Sequence, residues 1–254
     1  MKSGIQKISL VGLGNVGYHL AKAFDKTGIE ITHVFSRQLK SCAALNFNPK
    51  FIDNLNDIPN GQLIILCVPD DVIKDMLELI HPSCPVAYTS GSTDINSLSE
   101  RENIGVLYPL QTFSKDTALN MNEVPFFIEG SNSNFSATLF DLAWKISSSV
   151  SYANSQERKE LHLAAVWVNN FTNHLIHIAK DYLESKDIDF GHLKPLLLET
   201  VMKLKEQEPY DAQTGPARRG DVKIIEHHLS KLEGTSKEIY QLISDSIRST
   251  YLAK

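Results

Sequence analysis

Along the first part of the chain, short apolar and β-branched runs alternate with longer stretches of helical periodicity. Lys7–Val11, Ile31–Phe35, Leu63–Val68, Val86–Thr89 and Gly105–Tyr108 read as strands, and the segments between them are of helix size. Strands spaced in this way imply βαβ units and a parallel sheet. Pro125–Ile128 and Ser148–Tyr152 are candidates for added edge strands. From Asn154 the period changes. Leu161, Ala164, Ala165, Val168, Thr172, Leu175, Ala179 and Tyr182 recur at helical spacing over 22 residues. Asn154, with Glu157 three places on, forms a helix-start capping pair. Shorter helical stretches follow at His192–Lys205, Asp221–Leu232 and Ser236–Leu252, and nothing there reads as a strand. The expected fold is α/β: a doubly wound parallel sheet in residues 1–153, then an all-helical second domain in residues 154–254.

Composition narrows the possible functions. The chain has 254 residues, 42% hydrophobic and 22% charged, which is ordinary for a globular protein and too apolar for a disordered one. With 25 basic against 30 acidic residues there is no basic excess to neutralise a nucleic-acid backbone or hold an anionic membrane. Residues 1–153 contain 11 basic and 15 acidic residues with 9 of the 13 glycines, and six of the nine histidines fall in the later part. Cys42, Cys67 and Cys84 are odd in number and none has CxxC spacing, which argues against a disulfide framework and suits a reducing compartment. The N-terminal residues have no signal-peptide pattern and no segment reads as a membrane span, so the expected location is cytoplasmic.

The strongest chemical signal is Gly12-Leu13-Gly14-Asn15-Val16-Gly17, a GxGxxG between the apolar run Ile8–Val11 and an amphipathic helix, Tyr18–Lys26. This is a Rossmann-type dinucleotide loop. Gly12 permits the tight turn, Gly14 lets backbone approach a pyrophosphate, Gly17 lets helix and strand pack closely, and the phosphates sit at the positive helix N-terminus. A glycine-rich turn without a ligand would show the same bare pattern, so the strand–turn–helix context carries the weight. An acidic residue about 20 positions beyond the glycines would bind a ribose diol. Here that place holds Ser36-Arg37. A hydroxyl beside a guanidinium suits a 2′-phosphate, so NADP is expected over NAD.

Three further segments end strands at the same sheet edge, where open α/β sheets bind ligands. In Cys67-Val68-Pro69-Asp70-Asp71, Pro69 shapes the loop over the cofactor and an aspartate caps the next helix. Ser90-Gly91-Ser92 neighbours the nicotinamide, and Tyr108-Pro109-Leu110-Gln111-Thr112-Phe113 offers hydroxyls and an amide to a substrate.

At these residues the chain resembles the pyrroline-5-carboxylate reductase and 6-phosphogluconate dehydrogenase-like superfamily. More narrowly, Ser90-Gly91, Pro109–Phe113, His162–Phe171 and Thr214–Asp221 resemble a branch that pairs a Rossmann domain with a C-terminal domain of unknown function. Its members are assigned as NADP oxidoreductases or as relatives of deazaflavin-dependent ones. The resemblance covers nearly the whole chain and implies fold and cofactor rather than substrate. Thr214–Asp221 differs from the substrate loop of pyrroline-5-carboxylate reductases, and Gln156–His162 differs from the lysine-bearing helix of β-hydroxyacid dehydrogenases. Neither activity transfers. Tyr108 stands where this branch is expected to carry histidine, which argues against acid–base work at that position.

On the long helix His162, Asn169, Asn173 and His177 fall in one stripe at uniform α-helical spacing, with Asn170 about 80° around from His162. A solvated face would explain His174 and His177. The resemblance favours His162 as a proton donor for hydride transfer to C=O or C=N, with Asn170 orienting substrate or nicotinamide. In Thr214–Asp221, Pro216 rigidifies a turn and Asp221 caps the following helix, while Arg219 reaches an anionic substrate or the cofactor phosphates. No HExxH and no Cys/His cluster at ligand spacing predicts a metal site.

The sequence thus predicts an NADP-dependent oxidoreductase acting on a small carbonyl or imine compound held between the two domains. His162 and Asn170 would be catalytic. Gly12, Leu13, Gly14, Asn15, Val16, Gly17, Ser36, Arg37, Val68, Pro69 and Ser90 would bind the cofactor, and Gln111, Thr112 and Arg219 the substrate. A non-catalytic NADP sensor and a deazaflavin–NADP hydride exchanger are the alternatives. The long apolar-faced helix in a domain of about 100 residues predicts a homodimer.

Overall fold

A computed structural model describes residues 4–36, 48–98 and 101–252. It divides into two compact units, residues 1–170 and 171–254. Among the described residues, the first unit is built on a sheet of eight strands: β1 (Lys7–Val11), β2 (Glu30–Phe35), β3 (Lys50–Ile52), β4 (Leu63–Leu66), β5 (Val86–Tyr88), β6 (Ile104–Pro109), β7 (Phe126–Gly130) and β8 (Val150–Tyr152). Their order is β3-β2-β1-β4-β5-β6-β7-β8. Every neighbouring pair is parallel except β6 with β7. This is the doubly wound Rossmann-type sheet, with β1 beside β4 at the point where strand order reverses.

Both faces of the sheet are covered, so β4, β5 and β6 are apolar along their length rather than alternating. Period-2 geometry sends Ile8, Leu10, Ile65, Ala87 and Leu107 to one core and Ile64, Leu66, Val86, Tyr88, Val106 and Tyr108 to the other. Helices α1 (Asn15–Lys26) and α3 (Ser133–Trp144) close the first core through Leu20, Phe24, Leu139 and Leu142. Helix α2 (Ile73–Leu79) closes the second through Ile73 and Leu77. Tyr108 is therefore a core residue whose hydroxyl lies at the C-terminal end of its strand.

Helix α4 (Ser155–Ala165) starts where the capping pair predicts: the Asn154 side chain accepts from the Glu157 N–H, and the Glu157 carboxylate accepts from the Asn154 N–H. Such a cap is worth about 1 kcal/mol. The predicted continuous helix is interrupted, however. Val166–Phe171 is a π-helix, and α5 (Thr172–Glu184) follows. A turn of i→i+5 bonds takes in about one more residue than an α-turn. The stripe drawn at uniform spacing from His162 to His177 therefore does not carry across the break.

The second unit is helical among its described residues: α5, α6 (Lys194–Lys203), α7 (Pro209–Ala212), α8 (Pro216–Arg219), α9 (Val222–Leu229) and α10 (Gly234–Leu252). Arg218 holds its turns together, donating to the carbonyls of Tyr210, Asp211 and Gln213 and lying 4.9 Å over the Tyr251 ring. An apolar groove of about 720 Å³ runs within this unit, lined by Leu175, Ile178, Tyr182, Ile239, Ile243 and Ile247 among others. None of the described helices is long and apolar enough to cross a membrane.

Candidate functional site

The glycine loop is fixed by contacts that admit no side chain. A Cβ on Gly12 would lie 2.3 Å from the Cys67 carbonyl oxygen, and Gly12 has φ of +94°. A Cβ on Gly17 would lie 2.2 Å from the Gly12 oxygen. The loop is thus clamped between the end of β4 and the first turn of α1. Gly14 differs: among the described residues nothing lies within 4 Å of where its Cβ would be. It is the N-cap of α1, without a side-chain cap and with no acidic residue in the first turn. The helix-end N–H groups, carrying about half a positive charge, are open to an anion at the glycine of this loop that no described residue crowds.

A cleft of about 290 Å³ adjoins this loop, lined by Gly14, Asn15, Val16, Cys67, Val68, Pro69, Asp70, Thr89 and Ser90. It joins six of the predicted cofactor residues from the ends of β1, β4 and β5. Gly12 donates to the Phe35 carbonyl at 2.8 Å, tying the loop to the end of β2 just before Ser36. The Leu13 side chain is buried in the core, so only its backbone is placed to meet a ligand. Arg37 lies outside the described residues. An uncapped helix end, an open glycine and a cleft beside them suit a pyrophosphate-linked cofactor.

Several side chains at this edge have partners other than those the sequence suggests. Asp70 and Asp71 cap nothing: Asp70–Val72 form a short 3-10 turn ahead of α2, which puts neither at its N-cap. The Asp70 carboxylate instead accepts from the Ser92 hydroxyl. Ser90 donates to Thr93 Oγ1 at 2.8 Å and accepts from the N–H groups of Ser92 and Thr93. Its hydroxyl is thereby committed to shaping the turn. Burial pushes the Cys67 thiol up to about 12, opposed by a hydrogen bond with Thr89, so it is no nucleophile at neutral pH. Gln111 and Thr112 are exposed, and the Gln111 side chain accepts from the Thr112 N–H at 2.8 Å. Their loop is anchored by His19 of α1, whose Nε2 is 2.8 Å from the Ser114 carbonyl.

The predicted catalytic residue His162 meets the sheet edge. Its Nδ1 is 3.1 Å from the Tyr108 hydroxyl, and the rings lie edge to face. Burial, then the negative Asp70, push the Tyr108 phenol up, with Arg158 opposing them. Asn170 is exposed in the π-helical segment. In the second unit Arg219 pairs with Asp221 at 3.0 Å. Asp221 occupies the N-cap of α9 but makes no side-chain cap; its carboxylate accepts from that guanidinium instead.

Sequence reading missed the group that holds α4 in place. Arg158 is fully buried, pairs with Glu129 of β7, and donates to the Thr93 carbonyl at 2.9 Å. Ser155 donates to the same Glu129 carboxylate at 2.8 Å, and Lys159 pairs with Asp94 at 2.9 Å. The spacing of Ser155, Arg158 and His162 was the available signal: i, i+3 and i+7 share a helix face. That face turns toward the sheet edge.

No curated protein sequence matches the chain. The profile of a domain of unknown function, DUF2520, matches residues 124–247. The structure resembles that of BF3122 from Bacteroides fragilis, assigned as an NADP oxidoreductase, with 34% identity and a TM-score of 0.86 over 96% of this chain and 98% of that one. Protein TM1727 from Thermotoga maritima matches at 20% identity and a TM-score of 0.72 over 97% and 98%. A pyrroline carboxylate reductase from Plasmodium falciparum, solved with NADP bound, matches at 16% identity and a TM-score of 0.59 over 97% and 94%. Given its identity to BF3122 along nearly the whole of both chains, together with the glycine loop and the DUF2520 match, the chain belongs to this family of NADP oxidoreductases.

Proposed function

We propose that this NADP-dependent oxidoreductase reduces a small carbonyl or imine compound, with His162 supplying the proton. The observation that carries this reading is the Tyr108–His162 pair at the sheet edge: the Asp70 that raises the phenol also lines the cleft beside the glycine loop. Gly12–Gly17, Val68, Pro69 and Ser90 would hold the dinucleotide, and Ser36 with Arg37 would meet its 2′-phosphate. NADPH, when bound, supplies the hydride. The chain's own work is to orient the acceptor and deliver a proton from imidazole to its oxygen or nitrogen as charge develops there. Asn170, Gln111, Thr112 and Arg219 are proposed to orient the substrate. Residues 154–254 are proposed to carry substrate selection and dimerisation.

The test is NADPH consumption across a panel of small carbonyl and imine compounds. Turnover of a subset is expected, with His162→Ala lowering kcat by about 10²–10⁴-fold and leaving NADPH affinity unchanged. Tight NADPH binding without consumption across the panel would favour a sensing role instead. Undiminished turnover in His162→Ala would remove that residue from the chemistry. In the same assay Arg37→Ala should weaken NADPH binding while sparing NADH.

The helical part is proposed to form a homodimer. Helix α6 buries none of its residues, although Leu196, Leu198 and Val201 are 62%, 69% and 64% exposed. The apolar groove of the second unit adds to this unburied surface. Monomers rarely expose contiguous apolar patches beyond a few hundred Å². Light scattering at micromolar concentration should give twice 28.4 kDa, and a monomer mass would refute the dimer.

A further inference from the structure

We infer that Tyr108 is a positioning residue: its phenol fixes the tautomer and ring orientation of His162, so that Nε2 is presented as the N–H donor of the site. The inference rests on the reading of His162 as the proton donor and adds what sets that donor's state.

Tyr108 is only 7% exposed, and among the described residues its hydroxyl has one hydrogen-bond partner, His162 Nδ1 at 3.1 Å. A buried hydroxyl left without a partner is costly. Burial and Asp70, against the opposing Arg158, keep the phenol protonated. In the inferred arrangement its O–H donates to the acceptor within reach, the Nδ1 lone pair. A neutral ring that accepts at Nδ1 carries its proton on Nε2. When the ring is protonated, Nε2–H transfers its proton to the substrate heteroatom and the ring keeps its proton at Nδ1, shared with the phenol oxygen. Rotation of the phenol O–H and exchange with solvent then restore the resting tautomer.

The surroundings are built to hold the phenol there. A Cβ on Gly91 would lie 2.5 Å from Tyr108 Cζ and 2.8 Å from both Cε atoms, so the Ser90–Thr93 turn admits the ring only because position 91 is glycine. That turn is itself pinned. Tyr88 donates to the Thr93 carbonyl at 3.2 Å, Arg158 donates to the same carbonyl at 2.9 Å, and Ser92 is bonded to Asp70. Arg158 lies one helical turn before His162 on α4. One frame thus fixes both the hydroxyl and the helix that carries the imidazole.

The experiment is long-range proton–nitrogen correlation NMR of uniformly ¹⁵N-labelled full-length protein without added ligand, with His162→Gln assigning the signals. The wild type should show His162 only as the Nε2–H tautomer. Tyr108→Phe, and independently Gly91→Ala, which displaces the ring but keeps the hydroxyl, should bring in the second tautomer and loosen the ring. An Nδ1–H tautomer in the wild type, or a His162 spectrum unaltered by Tyr108→Phe, would overturn the proposal. This readout needs no substrate, so it stands or falls separately from the carbonyl or imine reading. On any compound that is turned over, Tyr108→Phe should lower kcat by about 100-fold and leave KM within about twofold. Parallel changes in kcat and KM with a normal tautomer would mean a merely structural tether.

Discussion

Gly14→Ala will leave the protein folded and raise the NADPH Kd by about 100-fold or more, roughly 2.8 kcal/mol of binding free energy. Among the described residues nothing lies within 4 Å of the new methyl group, and the backbone at Gly14, with φ of −70°, suits any residue. Reduced freedom of the unfolded chain favours alanine by about 0.4–1 kcal/mol, while the poorer N-cap costs a similar amount. Folding stability should therefore shift by less than about 1 kcal/mol. The methyl group enters the space through which a pyrophosphate approaches the backbone. Gly17→Ala is the contrasting case: its Cβ would collide with the Gly12 carbonyl, so it should fail by unfolding. Fluorescence titration with NADPH, alongside thermal unfolding, separates the two. Wild-type affinity in Gly14→Ala would move the phosphates away from this loop.

Arg158→Ala should cost about 3–5 kcal/mol of stability, because it strips the charge partner from Glu129 and a donor from the Thr93 carbonyl. For a unit of about 170 residues this lowers the midpoint of thermal unfolding by roughly 6–20 °C. The loss comes mostly from the stranded carboxylate rather than from the worth of the pair. Replacing both members, as Arg158→Met with Glu129→Met, should therefore recover more than half of it. Calorimetry of the wild type and these two variants decides the matter. A single variant within about 1 kcal/mol of wild type would mean that the buried guanidinium does not anchor α4.

Much of the architecture was legible because its causes are local. A glycine loop between an apolar run and a helix is a contiguous signal, and the structure clamps Gly12 and Gly17 while leaving Gly14 open. The Asn154–Glu157 cap spans three residues and forms as read. Strand β3 is not among the predicted strands: Lys50-Phe51-Ile52 has two adjacent apolar residues and no β-branched run to mark it. The π-helix escaped because one extra residue per turn hardly disturbs an apolar recurrence while rotating every side chain beyond it.

The site divides in the same way. The sequence by itself determined most of the sheet and its cofactor loop, since each rests on neighbours in the chain or on a short motif, while the candidacy of His162 came from the family resemblance. Only the tertiary structure decided which side chains meet. Asp70 turns from a supposed helix cap to Ser92, 22 residues on, and Arg158 joins Glu129, 29 residues back. Tyr108, set aside on sequence because histidine was expected there, becomes the partner of a histidine 54 residues away. Local pattern follows backbone geometry over a few residues, whereas these pairings depend on how strand ends and a helix face converge, which no short stretch of sequence records.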